Sequence, residues 1–394
     1  MMLFLSAVSI LLSPFAIAAD AGADTWQKVL LTQAAQSSGA VCLDGGPGGY
    51  YLRQASGAGG GAKRWIIFHQ GGGWCRSTAD CYSRAQTSLG SSKNWPPTYS
   101  DTYEGSALFA TPPFDSWNVV YAMYCDGGSW SGDATETYSD PQAGNVTVYY
   151  RGRRLLDALL DDLVKQRGMD GADTVLYAGC SAGGLTAYLH TDYVAARLRP
   201  GGTRVLGLAD AMFSLEHNDI VGTPRFPSVM QWGYSAWNAS DGVNAACLAH
   251  YGPADAWHCM FGANVAPFVS TPMMIVNSKY DTWQEKAILG LDCTVGKCAN
   301  GTEEAFWVNY GHAMVAALDA VPARHSAFLS NCPAHCQTGT GGNWGKRTVN
   351  GTALGTAVAI WFNASISVDM TSTLASAPRW VHRCDEQPCG SDVC

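Results

Sequence analysis

Beyond its first nineteen residues the chain has no apolar run of the roughly 18 residues that a membrane-crossing helix requires. No later segment therefore reads as a span. Basic density is also missing. Lysine and arginine number 24 against 32 aspartates and glutamates, a formal charge of −8. That excludes the cationic patch a nucleic-acid partner demands, and it excludes global electrostatic capture of an anionic polymer. The one basic cluster, Arg151, Arg153 and Arg154, opens an amphipathic helix and reads as arginines holding nearby carboxylates. Repeats, low-complexity tracts, Pro/Ser-rich linkers and charge runs are absent, which argues for one large domain over residues 20–394. Paired Cys-x-x-Cys or histidine ligands at regular spacing are lacking too, so the cysteines do not read as a zinc site.

What is present is core material and cysteine. Hydrophobic residues make up 47% of the chain, ample for a large interior. Fourteen cysteines, an even number, stand behind an apolar stretch, Leu3 to Leu12, that ends in Ala16-Ile17-Ala18. Residues 1–19 are thus expected to be a signal peptide and the protein to be secreted, with disulfides as the default state of its cysteines. The short spacings Cys75/Cys81, Cys247/Cys259 and Cys293/Cys298 suit local loop staples. Five Asn-x-Ser/Thr sequons, at Asn145, Asn238, Asn300, Asn350 and Asn363, fit the same secretory route; Asn363 stands beside Trp361-Phe362, a context that would bury it.

Short apolar strands alternate with helical patterns. The runs 50–53, 63–68, 117–121, 174–178, 205–209, 273–276 and 305–308 read as strands, with 50–53 and 63–68 forming a hairpin across Gly57 to Gly61. Leucines at 155, 156, 159, 160 and 163 recur at helical spacing within 148–167. The expected fold class is α/β: a mostly parallel sheet between helical layers, with disulfide-stapled loops. Residues 213–270 and 283–304, rich in Trp, Cys, Gly and Pro, read as insertions over the strand ends, where such folds place their sites.

The sharpest local signal is Gly179-Cys180-Ser181-Ala182-Gly183, between the strand run 174–178 and a helix-compatible run from Leu185 to Leu198. Strand, Gly-x-Ser-x-Gly, helix is the context of a nucleophile elbow. A bare Gly-rich turn with an incidental serine is the alternative that the flanking elements argue against. A serine nucleophile needs a base and an orienting acid. Asp281, just past the strand 273–276, is the best acid, although a helix N-cap role before Trp283 would place an aspartate there equally well. Asp210 is the second choice and could instead line the pocket. For the base, His312 and His335 both lie downstream of Asp281, and spacing does not choose between them. His69, His190, His217, His250, His258, His325 and His382 read as structural or exposed. An oxyanion formed at the serine needs backbone N–H donors, one from Ala182 and others from the turn Gly71-Gly72-Gly73-Trp74.

These motifs resemble the pectin acetylesterase/Notum family. The resemblance rests on Gly71-Gly72-Gly73-Trp74-Cys75, Tyr124-Cys125-Asp126-Gly127, Ser131-Gly132-Asp133, Arg151-Gly152-x-Arg154 and Gly179 to Gly184, with Asn277 to Gln284 matching the family's acid motif and Asn331 to Gln337 its histidine motif. It covers about Val41 to Cys394, including a cysteine-rich tail at Cys384, Cys389 and Cys394 like that of plant members. It implies an extracellular serine carboxylesterase on an α/β-hydrolase-like fold, monomeric, without metal or organic cofactor. By the same resemblance the triad is Ser181, Asp281 and His335, and the oxyanion donors are Gly73, Trp74 and Ala182. The implied substrate is an acetylated cell-wall polysaccharide, pectin-like. A Notum-like deacylase acting on a longer acyl chain of a protein or lipid is the second reading, and a non-catalytic glycan-binding protein on the same fold is the third. The chain departs from plant members in carrying His69-Gln70, where an acidic residue usually precedes the triple glycine. The state of Cys180 is open at this point; a free thiol there would require a second unpaired cysteine.

Overall fold

The computed structural model describes residues 26–55, 60–100, 104–339, 343–368 and 375–394. The segment 1–19 read as a signal peptide lies outside the described residues. Among the described residues nine strands form one sheet, and two further pairs stand apart. In chain order the strands are β1 (Gln27–Leu30), β2 (Gly49–Arg53), β3 (Arg64–His69), β4 (Asn118–Ala122), β5 (Ala134–Asp140), β6 (Gly144–Tyr150), β7 (Thr174–Cys180), β8 (Arg204–Asp210), β9 (Met273–Ser278), β10 (Ser326–Ser330), β11 (Thr348–Val349), β12 (Thr352–Ala353) and β13 (Arg379–Val381). The sheet runs β1-β2-β4-β3-β7-β8-β9-β10-β13. From β4 to β13 every pairing is parallel, and β1 and β2 add antiparallel strands at one edge. All seven residues of β7 are buried, as are those of β4, β9 and β10, because helices cover both faces.

Five long helices matter below: α1 (Gly152–Gln166), α2 (Ala182–Leu198), α3 (Arg225–Ala236), α4 (Gly301–Ala320) and α5 (Leu354–Ser367). In α1 the leucines at 155, 156, 159, 160 and 163 are buried, as their spacing predicts. The basic cluster at its start holds carboxylates. Arg151 and Arg154 both donate to Asp133, and Arg153 lies 3.5 Å from Asp157. Among the described residues no helix is long and apolar enough to cross a membrane.

Two sequence expectations are corrected. Strands β2 and β3 do not form a hairpin: β4 lies between them, antiparallel to β2 and parallel to β3, whose other edge is taken by β7. The run 305–308 is not a strand but part of α4. Asn300 caps that helix by accepting from the N–H groups of Thr302 and Glu303, and Trp307, Tyr310, Gly311, Met314 and Leu318 face inward at helical spacing. The strand beside β9 is instead β10, twenty residues on.

All fourteen cysteines are paired. The three short staples form as expected. Cys180 is bound to Cys336, Cys42 to Cys125, Cys332 to Cys394 and Cys384 to Cys389. All five sequon asparagines are exposed, Asn363 included, because it sits on the outer side of α5 while Trp361 and Phe362 face the core.

Candidate active site

β7 ends in a bend that glycine makes possible. A Cβ on Gly179 would overlap the Gly183 carbonyl, and one on Gly183 would overlap the His69 carbonyl. Only without side chains can strand, bend and helix approach this closely. Ser181 occupies the bend with φ +57° and ψ −123°, a conformation rarely adopted outside glycine. Its N–H donates to the Asp210 carbonyl at 2.9 Å, and its carbonyl accepts from Leu185 in the first turn of α2. The side chain therefore stands at the positive end of a long helix, with Ala182 as the first helical residue.

Two loops bring a carboxylate and an imidazole together. Asp281 follows β9, and His335 follows β10, the neighbouring parallel strand. The loops are zipped to each other: Lys279 N–H donates to the Ser330 carbonyl at 2.7 Å, the Ser278 hydroxyl to the Cys332 carbonyl at 2.6 Å, and Thr282 N–H to the Ala334 carbonyl at 3.3 Å. His335 Nδ1 lies 2.9 and 3.0 Å from the two Asp281 oxygens. A carboxylate only accepts, so the ring proton sits on Nδ1 and Nε2 is left with a lone pair. Burial alone would lower the His335 pKa. The Asp281 carboxylate, with Asp210 and Glu104 beyond it, outweighs burial and holds the pKa above its ordinary value. Asp281 also accepts from the N–H groups of Trp283 and Gln284, so it is a helix N-cap as well as a histidine partner.

Ser181 and His335 line one cleft of about 930 Å³. The glycine turn forms another of its walls. A Cβ on Gly71 would stand 2.9 Å from the Ser181 Cβ and 2.8 Å from the Cys180 carbonyl, so only glycine allows the turn to lie over the serine. Gly72 and Gly73 have φ of +139° and +68°. Arg84 donates to the Gly72 carbonyl at 2.6 Å, and the Tyr124 hydroxyl donates to the Gly73 carbonyl at 2.8 Å. In a trans peptide the next N–H points opposite to the carbonyl, so the N–H groups of Gly73 and Trp74 are turned away from Arg84 and Tyr124. Trp74, Phe226 and Trp283 pack ring against ring, with centroids 5.3 to 5.5 Å apart, and form the apolar side of the cleft.

Several neighbours carry no sequence signal for their roles. Asp210 is fully buried, and its Oδ2 accepts from Gln337 N–H, Thr338 N–H and the Thr338 hydroxyl at 2.7 to 2.8 Å, which pins the segment after His335. Burial raises its pKa to about 6 despite those donors. Arg84 lies in a polar helix that nothing in the chain marks out. Glu104 reaches the cleft and accepts from the Tyr121 hydroxyl at 2.6 Å. His312, the rival base, lies on α4 and contacts Asp385 at 2.7 Å, away from Ser181's cleft. His69 is buried between Trp130 and Tyr177, and burial lowers its pKa well below the ordinary value, so it is neutral. Among the described residues two clusters group metal-type ligands, Cys180/His335/Cys336 and Cys293/Cys298/Glu303, but the cysteine sulfurs of both are bound in disulfides and offer no thiolate.

A serine at a strained bend that lines the cleft, a histidine with a free Nε2 and a glycine turn whose N–H groups face away from Arg84 and Tyr124 form an arrangement suited to acyl transfer. Comparison with known proteins points the same way. The family model described as Pectinacetylesterase matches residues 21–376. Pectin acetylesterase 11 of Arabidopsis thaliana is 31% identical over 84% of this chain and 86% of its own length. Pectin acetylesterase 5 of the same plant is 30% identical over 82% of this chain and 76% of its own. The human palmitoleoyl-protein carboxylesterase NOTUM is 29% identical over 82% of this chain and 64% of its own length.

Proposed function

The chain belongs to the pectinacetylesterase family, and from that premise we propose that it is a secreted serine esterase that removes acetyl groups from a cell-wall polysaccharide such as pectin. It is a carboxylic ester hydrolase, as the relatives' names state of those proteins. In the proposed mechanism the Ser181 hydroxyl attacks the acyl carbonyl as His335 Nε2 takes its proton. The N–H groups of Gly73, Trp74 and Ala182 receive the oxyanion. The intermediate collapses, and the sugar hydroxyl leaves with the proton held by His335. Water, deprotonated by the same nitrogen, then attacks the acyl-serine and releases the acid. Asp281 fixes the ring tautomer and stabilises the transient imidazolium. Seven disulfides in the chain fit an extracellular setting.

The observation that carries this reading is the contact of His335 Nδ1 with both Asp281 oxygens in the cleft that holds Ser181. A short acyl group is the reading that the pectin acetylesterase relatives support, and the Trp74, Phe226 and Trp283 rings give the cleft an apolar wall beside it. Acid release from acetylated pectin, and from aryl esters of increasing chain length, tests both points. Ser181→Ala is expected to lower turnover of the acetyl ester about 10⁴-fold or more while leaving the thermal transition in place. Unchanged hydrolysis by that variant would sink the serine assignment. Faster turnover of long-chain esters than of acetate would favour a deacylase of the kind named among the NOTUM relatives.

A further inference from the structure

We propose that Glu104 holds the water that hydrolyses the acyl-serine, its carboxylate accepting one hydrogen of that water while His335 Nε2 takes the other; this rests on the esterase reading above. Glu104 is half-buried and lines the same cleft as Ser181 and His335. The segment that carries it packs against β3: a Cβ on Gly105 would stand 2.6 Å from the Phe109 ring and 2.9 Å from the Phe68 ring. The bare face of Gly71 then lets carboxylate and serine approach. One point, that of a Cβ on Gly71, is 2.9 Å from the Ser181 Cβ and 3.5 Å from Glu104 Oε1. The two side chains are thus no further apart than two contact distances, about the span that one bridging water fills.

A water attacking beside Ser181 needs an acceptor for the hydrogen that His335 does not take, because an unpaired O–H in a half-buried site is costly. Neighbouring acceptors among the described residues are engaged or turned away. The Gly72 and Gly73 carbonyls accept from Arg84 and Tyr124. Asp281 faces the opposite side of the imidazole, at Nδ1. Asp210 is fully buried and does not line the cleft. Asp80 is exposed and accepts from the Arg76 N–H. Glu104 differs. Its Oε2 accepts from the Tyr121 hydroxyl at 2.6 Å, which fixes the carboxylate and leaves Oε1 to the cleft. Cations that line the cleft are directed elsewhere: Arg84 to the carbonyls of Gly72 and Leu89, Arg225 to Asp219 and Lys286 to Asp292. The charge of Glu104 reaches the imidazole, since it is among the carboxylates that hold the His335 pKa up.

The two chemical steps use this carboxylate differently. In acylation the Ser181 hydroxyl passes its only proton to Nε2, and Glu104 has nothing to accept. In deacylation the water oxygen forms a bond to the acyl carbon as Nε2 takes one of its protons. The oxyanion collapses, the bond from that carbon to Ser181 Oγ breaks, and His335 returns the proton to Oγ. The water's second hydrogen, held at Glu104 Oε1 until then, leaves with the acid. Glu104 takes up no proton; it aims the water's lone pair at the carbon. Serine is tethered and water is not, so a fixed acceptor acts on the second step and not on the first.

The test uses the intact protein and a neutral aryl acetate, on the plateau of the pH–rate profile, where His335 is neutral. In Glu104→Gln the amide keeps an oxygen for Tyr121 and turns donors toward the cleft. The decay of acetylated Ser181, followed by intact mass after rapid quenching, is expected to slow about 10- to 100-fold, so that acetyl-enzyme accumulates. kcat and KM are expected to fall together, while kcat/KM, which reports acylation, stays within about twofold. Tyr121→Phe, which removes only the hydroxyl that fixes Oε2, is expected to slow the same decay about threefold. Decay at the wild-type rate in Glu104→Gln would overturn the proposal, as would an equal loss in kcat/KM and in decay, the mark of a group that merely supports the site. Failure of the wild-type protein to acquire an acetyl group at Ser181 is a different result, which removes the esterase reading itself and the water site with it.

Discussion

The bond between Cys180 and Cys336 joins the residue before Ser181 to the residue after His335. Its removal in C180A/C336A has two separable effects. The cysteines are 156 residues apart in sequence, and closing a loop of that size in the unfolded chain corresponds to about 5 kcal/mol in the chain-entropy model. For a chain of this length that lowers the melting temperature by about 5–10 °C. The second effect falls on turnover. Without the bond, the His335 loop keeps the Asp281 contacts, the Thr282 to Ala334 hydrogen bond and the three donors to Asp210, so it stays folded. It loses the covalent limit on how far imidazole and serine can separate. A misplacement of about 1 Å in such an array costs about 10²-fold. We expect kcat on a neutral aryl acetate to fall about 10- to 100-fold, with KM within about twofold, at a temperature where both proteins are folded. C247A/C259A, which removes a staple that does not line the cleft, serves as the control and is expected to keep its kcat. Should C180A/C336A melt lower yet retain wild-type kcat, the bond would be a stability staple and nothing more.

The remaining predictions concern the proposed base and the glycine turn. Because His335 has its pKa raised, kcat/KM is expected to rise with pH along a limb whose midpoint lies above the ordinary imidazole value of 6.5. By linkage, the His335–Asp281 pair contributes stability that is fully present below the unfolded pKa and is lost as pH rises through the folded one. Asp281→Asn is expected to move the midpoint of that limb down and to lower kcat about 10⁴-fold; a pH–rate profile with the wild-type midpoint would refute the pairing. Arg84→Ala leaves the Gly72 carbonyl without its closest donor and frees the turn to rotate. Its kcat is expected to drop about 10- to 100-fold with KM little changed, and Arg84→Lys to restore little, since one ammonium does not reach the Gly72 and Leu89 carbonyls with the same fork.

What could be read from the sequence divides along a physical line. The bend at Ser181, the glycine turn and Asp281 all sit at ends of strands, and their chemistry needs local features. Glycines are required where backbones touch, and apolar runs stop where the sheet stops. Those signals lie within a few residues of the groups they place. Errors arose where a local pattern was too short to carry a period. Four apolar residues at 305–308 suit a strand as well as a helix, and only the Asn300 cap and the inward face of α4 over twenty residues decide. Strands β2 and β3 look like a hairpin until β4, some fifty residues later, enters between them.

The choice between His312 and His335 has the same root. Both lie downstream of the acid, and spacing does not tell which is near Asp281; only the family resemblance of the motif around His335 favours that residue. The register of β9 against β10 decides it, because parallel neighbours deliver their following loops to one end of the sheet, and the bridge between Asp281 and Ala334 extends that pairing to the residue before His335. His312 is carried on a helix to Asp385 instead. The supporting groups are hidden more deeply. Asp210 meets Thr338 across 128 residues of sequence, and Cys180 meets Cys336 across 156. A residue that reacts is placed by the element it ends. A residue that holds it in place is found only once distant segments are in register, so the precision of this site is written in the topology of the sheet and not in any stretch of the chain.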